Sequence, residues 1–395
     1  GHPKPGCWHN ANIHMLFWLA LLSLVFVATA MIELARGNRS IRFVRDIPVV
    51  LPAPPPRVSL VIAARDEECN LSVALDTLLA QDYPDFEMIV VDDRSTDATP
   101  AILARKAAQH ERLRIVRIDA LPAGWLGKNH ALERGAQQAT GEILIFADAD
   151  IMMRPDTVSR AVSYMLAARR DHIALAPEVI APGLLLGMFI GTFMMFFSLF
   201  MRPWKAPDSR SRRFIGIGAF NLVRAEAYRA VGGHRRIAMR PDDDIKLGKI
   251  IKDAGYSQEM LFGCGWMRVE WYPSLGALVR GLEKNSLAGV DYNVAAIIAS
   301  TFAQAACFIW PFIALFFTSG LTLALNAAIC AVLLTGYMEA ARLIGVPRWY
   351  ALGLPLTVAI FIWILWRATF ITLRDDGITW RGTHYPLAAL KANRV

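Results

Sequence analysis

Two short apolar segments of this 395-residue chain each end in a pair of carboxylates. Met88-Ile89-Val90-Val91 runs directly into Asp92 and Asp93, and Ile143-Leu144-Ile145-Phe146 leads past Ala147 to Asp148 and Asp150. Unbroken apolar runs of this length, bounded by turn residues, read as strands buried on both faces. The surrounding pattern alternates: strand at 58–63, helix at 70–81, strand at 86–91, helix at 98–109, strand at 113–118, helix at 128–139 and strand at 142–147. Such alternation predicts a Rossmann-like, mostly parallel sheet wrapped by helices through right-handed crossovers. Ligands of open α/β sheets bind at the carboxyl ends of the strands. Both acidic pairs therefore fall on the binding edge, where an Asp-x-Asp turn can converge on one hard cation that bridges diphosphate oxygens.

The chain as a whole is more apolar than a soluble enzyme needs, with 55% hydrophobic residues and a net charge of +8. It reads as an α/β domain joined to α-helical transmembrane segments. Residues 1–14 carry no periodicity and are expected to lie outside the fold. Residues 15–35 form an apolar anchor, for which a signal peptide is the weaker reading because arginines follow in place of a cleavage site. Those arginines place the anchor's carboxyl end, and the domain that follows it, on the cytoplasmic face. A basic, proline-rich linker at 36–57 leads to the α/β domain at 58–289. The apolar run at 181–201 is long enough to span, but a crossing there would separate Asp148 and Asp150 from the acidic cluster at 242–244. An interfacial helix is expected instead, with a second at 274–288. Three apolar runs follow within 290–372, and then a basic tail at 373–395. An anchor plus three spans puts the tail outside, against the positive-inside tendency; the alternative is that one run, containing Pro355, does not cross. The basic clusters suit anionic lipid, and no nucleic-acid-binding motif accompanies them. The five cysteines form no CxxC pair, so neither a disulfide framework nor a zinc site is expected.

The segments SLVIAARDEECNL, VVDDRSTD, GKNHAL, the Asp148-Ala149-Asp150 triplet, GAFNLVRAEAYRAVGGH and DDDIKLGKIIKDAGY occur in this order between Val58 and Gly289. Together they resemble the family 2 glycosyltransferases of the GT-A fold. The layout and the tail ITWRGTHY are similar to ceramide glucosyltransferase-like and bacterial hopanoid- and carotenoid-associated members. The resemblance implies a nucleotide-sugar donor, usually a UDP-sugar, with Asp92 and Glu67 facing its base and ribose, and Asp93 nearer its diphosphate. For Asp92 and Asp93 the alternative is capping of the helix near Ala98, a role Asp97 fits better; a solvated loop explains Glu67 and Glu68 equally well. Lys128 and Asn129 would lie near the sugar or phosphates. Asp148 would sit beside the donor, and Asp150 would ligate Mn²⁺ or Mg²⁺ directly.

Aligned in the same way, Asp243 and Asp244 take the places of the family's Glu-Asp pair. An inverting transfer needs one carboxylate as general base. Asp244 is that candidate and Asp243 the close alternative, while at least one member of 242–244 would stabilise a helix N-terminus. The chain departs from the Gln/Arg-x-x-Arg-Trp signature of processive and ceramide-type members, reading Arg280-Gly281-Leu282-Glu283-Lys284-Asn285 at the comparable place. Arg280 and Lys284 would serve the diphosphate or lipid headgroups, with a snorkelling interfacial role the equal alternative. Trp380, Arg381 and Tyr385 would close over the donor if the tail is cytoplasmic and form an aromatic belt otherwise. The expected activity is metal-dependent transfer of one sugar to a lipid hydroxyl with inversion. A polyprenyl-phosphate sugar synthase and a non-catalytic nucleotide-sugar binding module are the alternatives.

Overall fold

The computed structural model describes residues 5–395, with side-chain surroundings from His14 onward. It opens with α1 (Pro5–Ser40), which starts upstream of the expected anchor boundary at residue 15. Of the segment expected to lie outside the fold, residues 1–4 fall outside the described residues, and the remainder extends α1. A nucleated helix gains a hydrogen bond for each residue added, so an apolar span readily carries its helix into flanking residues.

From Val58 the alternation read from the sequence is found as β1 (Val58–Ala64), α2 (Leu71–Leu79), β2 (Phe86–Asp93), α3 (Thr99–Ala107), β3 (Leu113–Ile118), α4 (Gly127–Gln138) and β4 (Ile143–Ala147). The four strands are parallel in the order β3-β2-β1-β4. Every residue of β2 and β4 is buried, which is why β4 and the Met88–Val91 stretch of β2 are unbroken apolar runs. Side chains alternate between two cores. Leu60 and Ile62 of β1 face one with Leu75 and Leu78 of α2, while Val61 faces the other with Leu132 of α4 and Leu247.

The next elements are β5 (Ile151–Met153), α5 (Thr157–Ala167), β6 (His172–Ala176), β7 (Glu178–Ile180), α6 (Leu184–Met201), β8 (Asn221–Arg224), α7 (Ala225–Ala230), α8 (Asp243–Asp253), β9 (Gln258–Phe262) and β10 (Met267–Glu270). Strand β8 pairs antiparallel with both β4 and β6, and β9 lies parallel to β6, giving the order β3-β2-β1-β4-β8-β6-β9. A small second sheet, β5-β10-β7, flanks it. The linker expected at 36–57 is docked on this domain. Its apolar residues Ile41, Val44 and Ile47 are buried, Phe262 donates its N–H to the Arg42 carbonyl at 2.9 Å, and Val50 donates to Ser163 Oγ at 2.9 Å.

The expected second amphipathic segment is α9 (Leu275–Ser286), which buries Leu278, Val279 and Leu282. Then come α10 (Val294–Gln304), one π-helical turn, α11 (Trp310–Ala314), α12 (Gly320–Leu343) and α13 (Leu354–Arg374). Pro355 lies in the first turn of α13, where a missing N–H leaves no hydrogen bond unmade, and so it does not break the helix. The tail forms the hairpin β11 (Gly377–Trp380) and β12 (Thr383–Pro386), followed by α14 (Leu387–Ala392). Five helical segments of the described residues are long and apolar enough to cross a membrane: 14–40, 184–205, 294–314, 320–343 and 348–374.

Candidate active site

The register Ala64↔Asp92 brings the first acidic pair level with the end of β1, and the loops after β1 and β2 brace each other there. Asp92 is buried and accepts the Ser95 N–H at 3.1 Å. Asp66 accepts the Thr96 N–H at 2.8 Å, and Glu67 donates its N–H to Thr99 Oγ1 at 2.8 Å. Asp97 holds the Thr99 N–H at 2.9 Å at the start of α3, the capping task that suited it better than Asp92 or Asp93. Glu68 is a brace and not a free loop residue, since its carboxylate accepts the Ala98 N–H at 2.9 Å.

Asp93 has a different environment from the one expected of a residue beside a diphosphate. Its two oxygens receive the Arg94 Nε at 2.8 Å and Nη2 at 3.0 Å, and Gly127 packs so closely that a Cβ there would come within 2.4 Å of Oδ2. It orients the Arg94 guanidinium and fixes the start of α4. Asn129 also departs from expectation. Its buried amide Nδ2 lies 2.8 Å, 3.2 Å and 2.9 Å from the carbonyls of Ile237, Ala238 and Arg240. It clamps the loop that delivers the second acidic cluster and faces no open space.

Lys128, one residue earlier on α4, stands between the two carboxylate groups. Its Nζ donates to Asp148 Oδ1 at 2.7 Å and lies 3.5 Å from Asp243 Oδ2. Burial pulls its pKa down, but Asp148, Asp243 and Asp244 outweigh burial and hold it above the ordinary lysine value. The sheet thus brings the ends of α4, β4 and α8 to one point, as the sequence order required. Asp150 is pushed up to about 7 by burial and then by Asp148 and Glu67. A buried carboxylate raised by acidic neighbours at the sheet edge is what a divalent cation relieves. Among the described residues no cluster of three ligand side chains is present. One or two carboxylates nevertheless fit a cation whose other ligands are donor phosphates and water. With Asp148 engaged by Lys128, Asp150 is the carboxylate left without an ion-pair partner among the described residues, and it could hold such a cation.

The three acids at 242–244 have separate tasks. Asp242 is buried in a bidentate pair with Arg240, both contacts 2.8 Å, and Arg240 also reaches Asp291 at 2.9 Å. Asp243 is buried, and burial raises its pKa against the pull of Lys128. Asp244 accepts the Gly218 N–H at 2.7 Å on Oδ2 and the Ile245 N–H at 2.8 Å on Oδ1. Burial, then the neighbouring Asp243 charge, push it up to about 7. The glycines of GIGAF permit this packing, because a Cβ on Gly216 would meet the Asp244 carbonyl at 1.8 Å. One on Gly218 would meet Asp148 Oδ2 at 3.0 Å and Asp244 Oδ2 at 3.3 Å. His234 lies behind the site, buried against Phe146 with Nδ1 2.8 Å from the Tyr228 hydroxyl, and burial lowers its pKa to about 3.

The tail completes the site. Arg381 pairs with Glu67 at 2.6 Å and caps the Arg65 carbonyl. Burial raises the Glu67 pKa even though Arg381 opposes it. The Lys284 ammonium lies 3.8 Å from the Trp380 ring centroid. Burial and the repulsion of Lys128 lower its pKa to about 8 against the attraction of Asp243. Of the two basic residues on α9, Lys284 therefore faces the acids, and Arg280 is exposed. Composition alone could not separate them; their four-residue spacing placed them near one face, and packing decided the rest.

The family model for glycosyl transferase family 2 matches residues 59–231. The β-monoglucosyldiacylglycerol synthase of Synechocystis is 39% identical over 113 residues, 28% of this chain and 23% of that protein. The 4,4'-diaponeurosporenoate glycosyltransferase of Staphylococcus haemolyticus is 25% identical over 245 residues, covering 59% of this chain and 62% of the relative. This chain thus spans 23% of the length of the first curated relatives it matches. A solved mannosyltransferase of Pyrobaculum calidifontis, in complex with GDP-Man and Mn²⁺, superposes with a TM-score of 0.53 at 20% identity over 91% of this chain and 99% of its own. Residues 59–231 thus match the glycosyl transferase family 2 model, and the mixed sheet with acidic turns at its edge shares its fold with that mannosyltransferase.

Proposed function

We propose that this protein is a membrane-bound inverting glycosyltransferase that moves a single sugar from a nucleoside diphosphate sugar, with a UDP-sugar the first donor to test, to a lipid hydroxyl. The observation that carries the reading is Asp244, a carboxylate held by two backbone N–H groups and raised to about 7 within reach of the Lys128–Asp148 pair. A base poised near neutrality suits removal of a proton from a hydroxyl. Asp244 takes the acceptor proton as the acceptor oxygen attacks the anomeric carbon, and the bond to the diphosphate breaks on the opposite face. Lys128 and Lys284 offer positive charge to the leaving diphosphate. Asp150 would hold Mn²⁺ or Mg²⁺, which supplies Lewis-acid stabilisation of the leaving phosphate oxygens. The buried edge of β2, with Asp92, and the Glu67–Arg381 pair form the side on which base and ribose are read.

A lipid acceptor is supported by the apolar helices beside the site and by the two relatives, a diacylglycerol enzyme and a carotenoid enzyme. The test is release of nucleoside diphosphate from a panel of nucleotide sugars by detergent-solubilised protein, with Mn²⁺ or Mg²⁺ and a lipid extract. Lipid-dependent release that is lost in Asp150→Ala and Asp244→Asn supports the proposal. Turnover that survives Asp150→Ala removes the metal assignment. Turnover that survives Asp244→Asn points to an acceptor needing no deprotonation, such as a polyprenyl phosphate.

A further inference from the structure

Five segments have the length and apolarity of membrane spans, yet the positions of their ends limit how many cross. Both ends of α6 join the catalytic domain. It follows β7 after a three-residue turn, and beyond it Ala206 and Ile215 are buried against Met260 and Phe262 of β9. Helix α13 is longer, about 31 Å at 1.5 Å per residue, and would cross if its two ends met opposite sides of the molecule. Both ends instead meet the catalytic domain. Before it, a Cβ on Gly345 would lie 3.2 Å from Glu178 Oε1 in β7, and Tyr350 and Met188 close over Gly187 and Gly353. After it, Trp380 covers Lys284 and Arg381 pairs with Glu67. Along its length α13 packs on α6 and α9, through the Thr192–Thr357 hydroxyl pair at 2.7 Å, Phe361 against Phe196 at 5.4 Å between centroids, and Arg367–Glu283 at 2.8 Å.

The remaining excursion is a hairpin. Helix α10 leaves the domain just after Asp291, which is paired with Arg240 and Lys246. The chain turns at 315–319, where Phe316 and Phe317 are 83% and 76% exposed. Helix α12 then returns to the domain end of α1, where Glu339 meets Arg39 at 2.8 Å.

We infer that, among the described residues, only α1, the α10–α11 segment and α12 cross the bilayer, while α6 and α13 lie along its near face as a floor beneath the catalytic domain. The partner of this surface is the headgroup–acyl boundary of the leaflet on the domain side. The outward stripe of α13 carries Leu356, Trp363 and Phe370 at seven-residue spacing, with Trp349 and Leu352 in the turn before it. Tryptophan is characteristic of that boundary, and the exposed Arg212 and Arg213 after α6 add charge complementary to anionic headgroups. Two crossings after the domain return the basic tail to the domain side, which removes the conflict with the positive-inside tendency.

The test is labelling with a membrane-impermeant maleimide in sealed vesicles of both orientations, read by peptide mass. The exposed Cys69 of the catalytic domain is the internal reference. Cysteines are introduced as Phe317→Cys, Arg348→Cys and Lys391→Cys, with Thr318→Cys as a second position at the hairpin tip. Positions 348 and 391 should label from the same side as Cys69, and 317 and 318 from the opposite side. Labelling of 348 with the tip, or from neither side, would mean that α13 enters the bilayer and would overturn the inference; so would a tail labelled with the tip. The readout needs no turnover, so loss of the transferase proposal leaves it unaffected.

Discussion

The adjacent carboxylates Asp243 and Asp244 make the base assignment testable by charge. Asp244 stands at about 7 because burial and the Asp243 charge together outweigh Lys128 and the Ile245 N–H. A like charge a few ångströms away in a partly buried site, at an effective dielectric near 20, contributes on the order of 1–3 kcal/mol. At about 1.4 kcal/mol per pK unit, that is roughly one to two units. In the intact enzyme kcat should therefore fall on the acid side of pH 7, and Asp243→Asn should move this limb down by about one to two pH units while the plateau survives. Asp244→Asn should lower kcat by roughly 10²–10⁴ across the whole range and abolish the limb. The assay is initial-rate release of nucleoside diphosphate at saturating donor and acceptor, from about pH 5 to pH 9, so that the limb reports the complex and not the free enzyme. An Asp244→Asn variant with near-normal kcat refutes the reasoning, and a limb that disappears in Asp243→Asn as well gives the role to Asp243, whereas a rate that survives both substitutions leaves the acceptor without need of a base.

Gly218→Ala should reduce kcat at least about tenfold with little change in thermal stability, because its Cβ enters the space between Asp148 and Asp244; a melting curve alongside the rate separates the two effects. Arg240→Met should cost about 3–5 kcal/mol by leaving Asp242 buried without its partner, measured as loss of unfolding free energy in detergent. Asp150 and Asp244 both sit near 7 against an ordinary 3.8, so the folded chain binds protons more tightly than the unfolded chain. Their contribution to stability is complete below pH 4 and is lost as pH rises through about 7. Added Mn²⁺ should recover part of that loss above pH 7 in the intact protein and not in Asp150→Ala, read as melting temperature with and without chelator.

The apolar runs before Asp92 and Asp148 could only be strands buried on both faces, and burial of both faces requires helices on each side; periodicity therefore determined the parallel half of the sheet and the edge on which its acids lie. Motif order likewise brought Lys128, Asp148, Asp243 and Asp244 to one point, because each follows or starts an element ending at that edge. What each polar side chain does there was set by its neighbours. Asn129 and Lys128 are adjacent in sequence, yet the helical turn sends one amide to three carbonyls of the 237–240 loop and one ammonium between two carboxylates. Asp242, Asp243 and Asp244 read alike until Arg240 claims the first and the Gly218 N–H the third. The linker, the tail hairpin and the ends of α13 were beyond local pattern for the same reason. Ile41, Val44, Trp380 and Arg381 have partners far away along the chain, and no period of 2 or 3.6 records a contact that only closure of the tertiary fold creates.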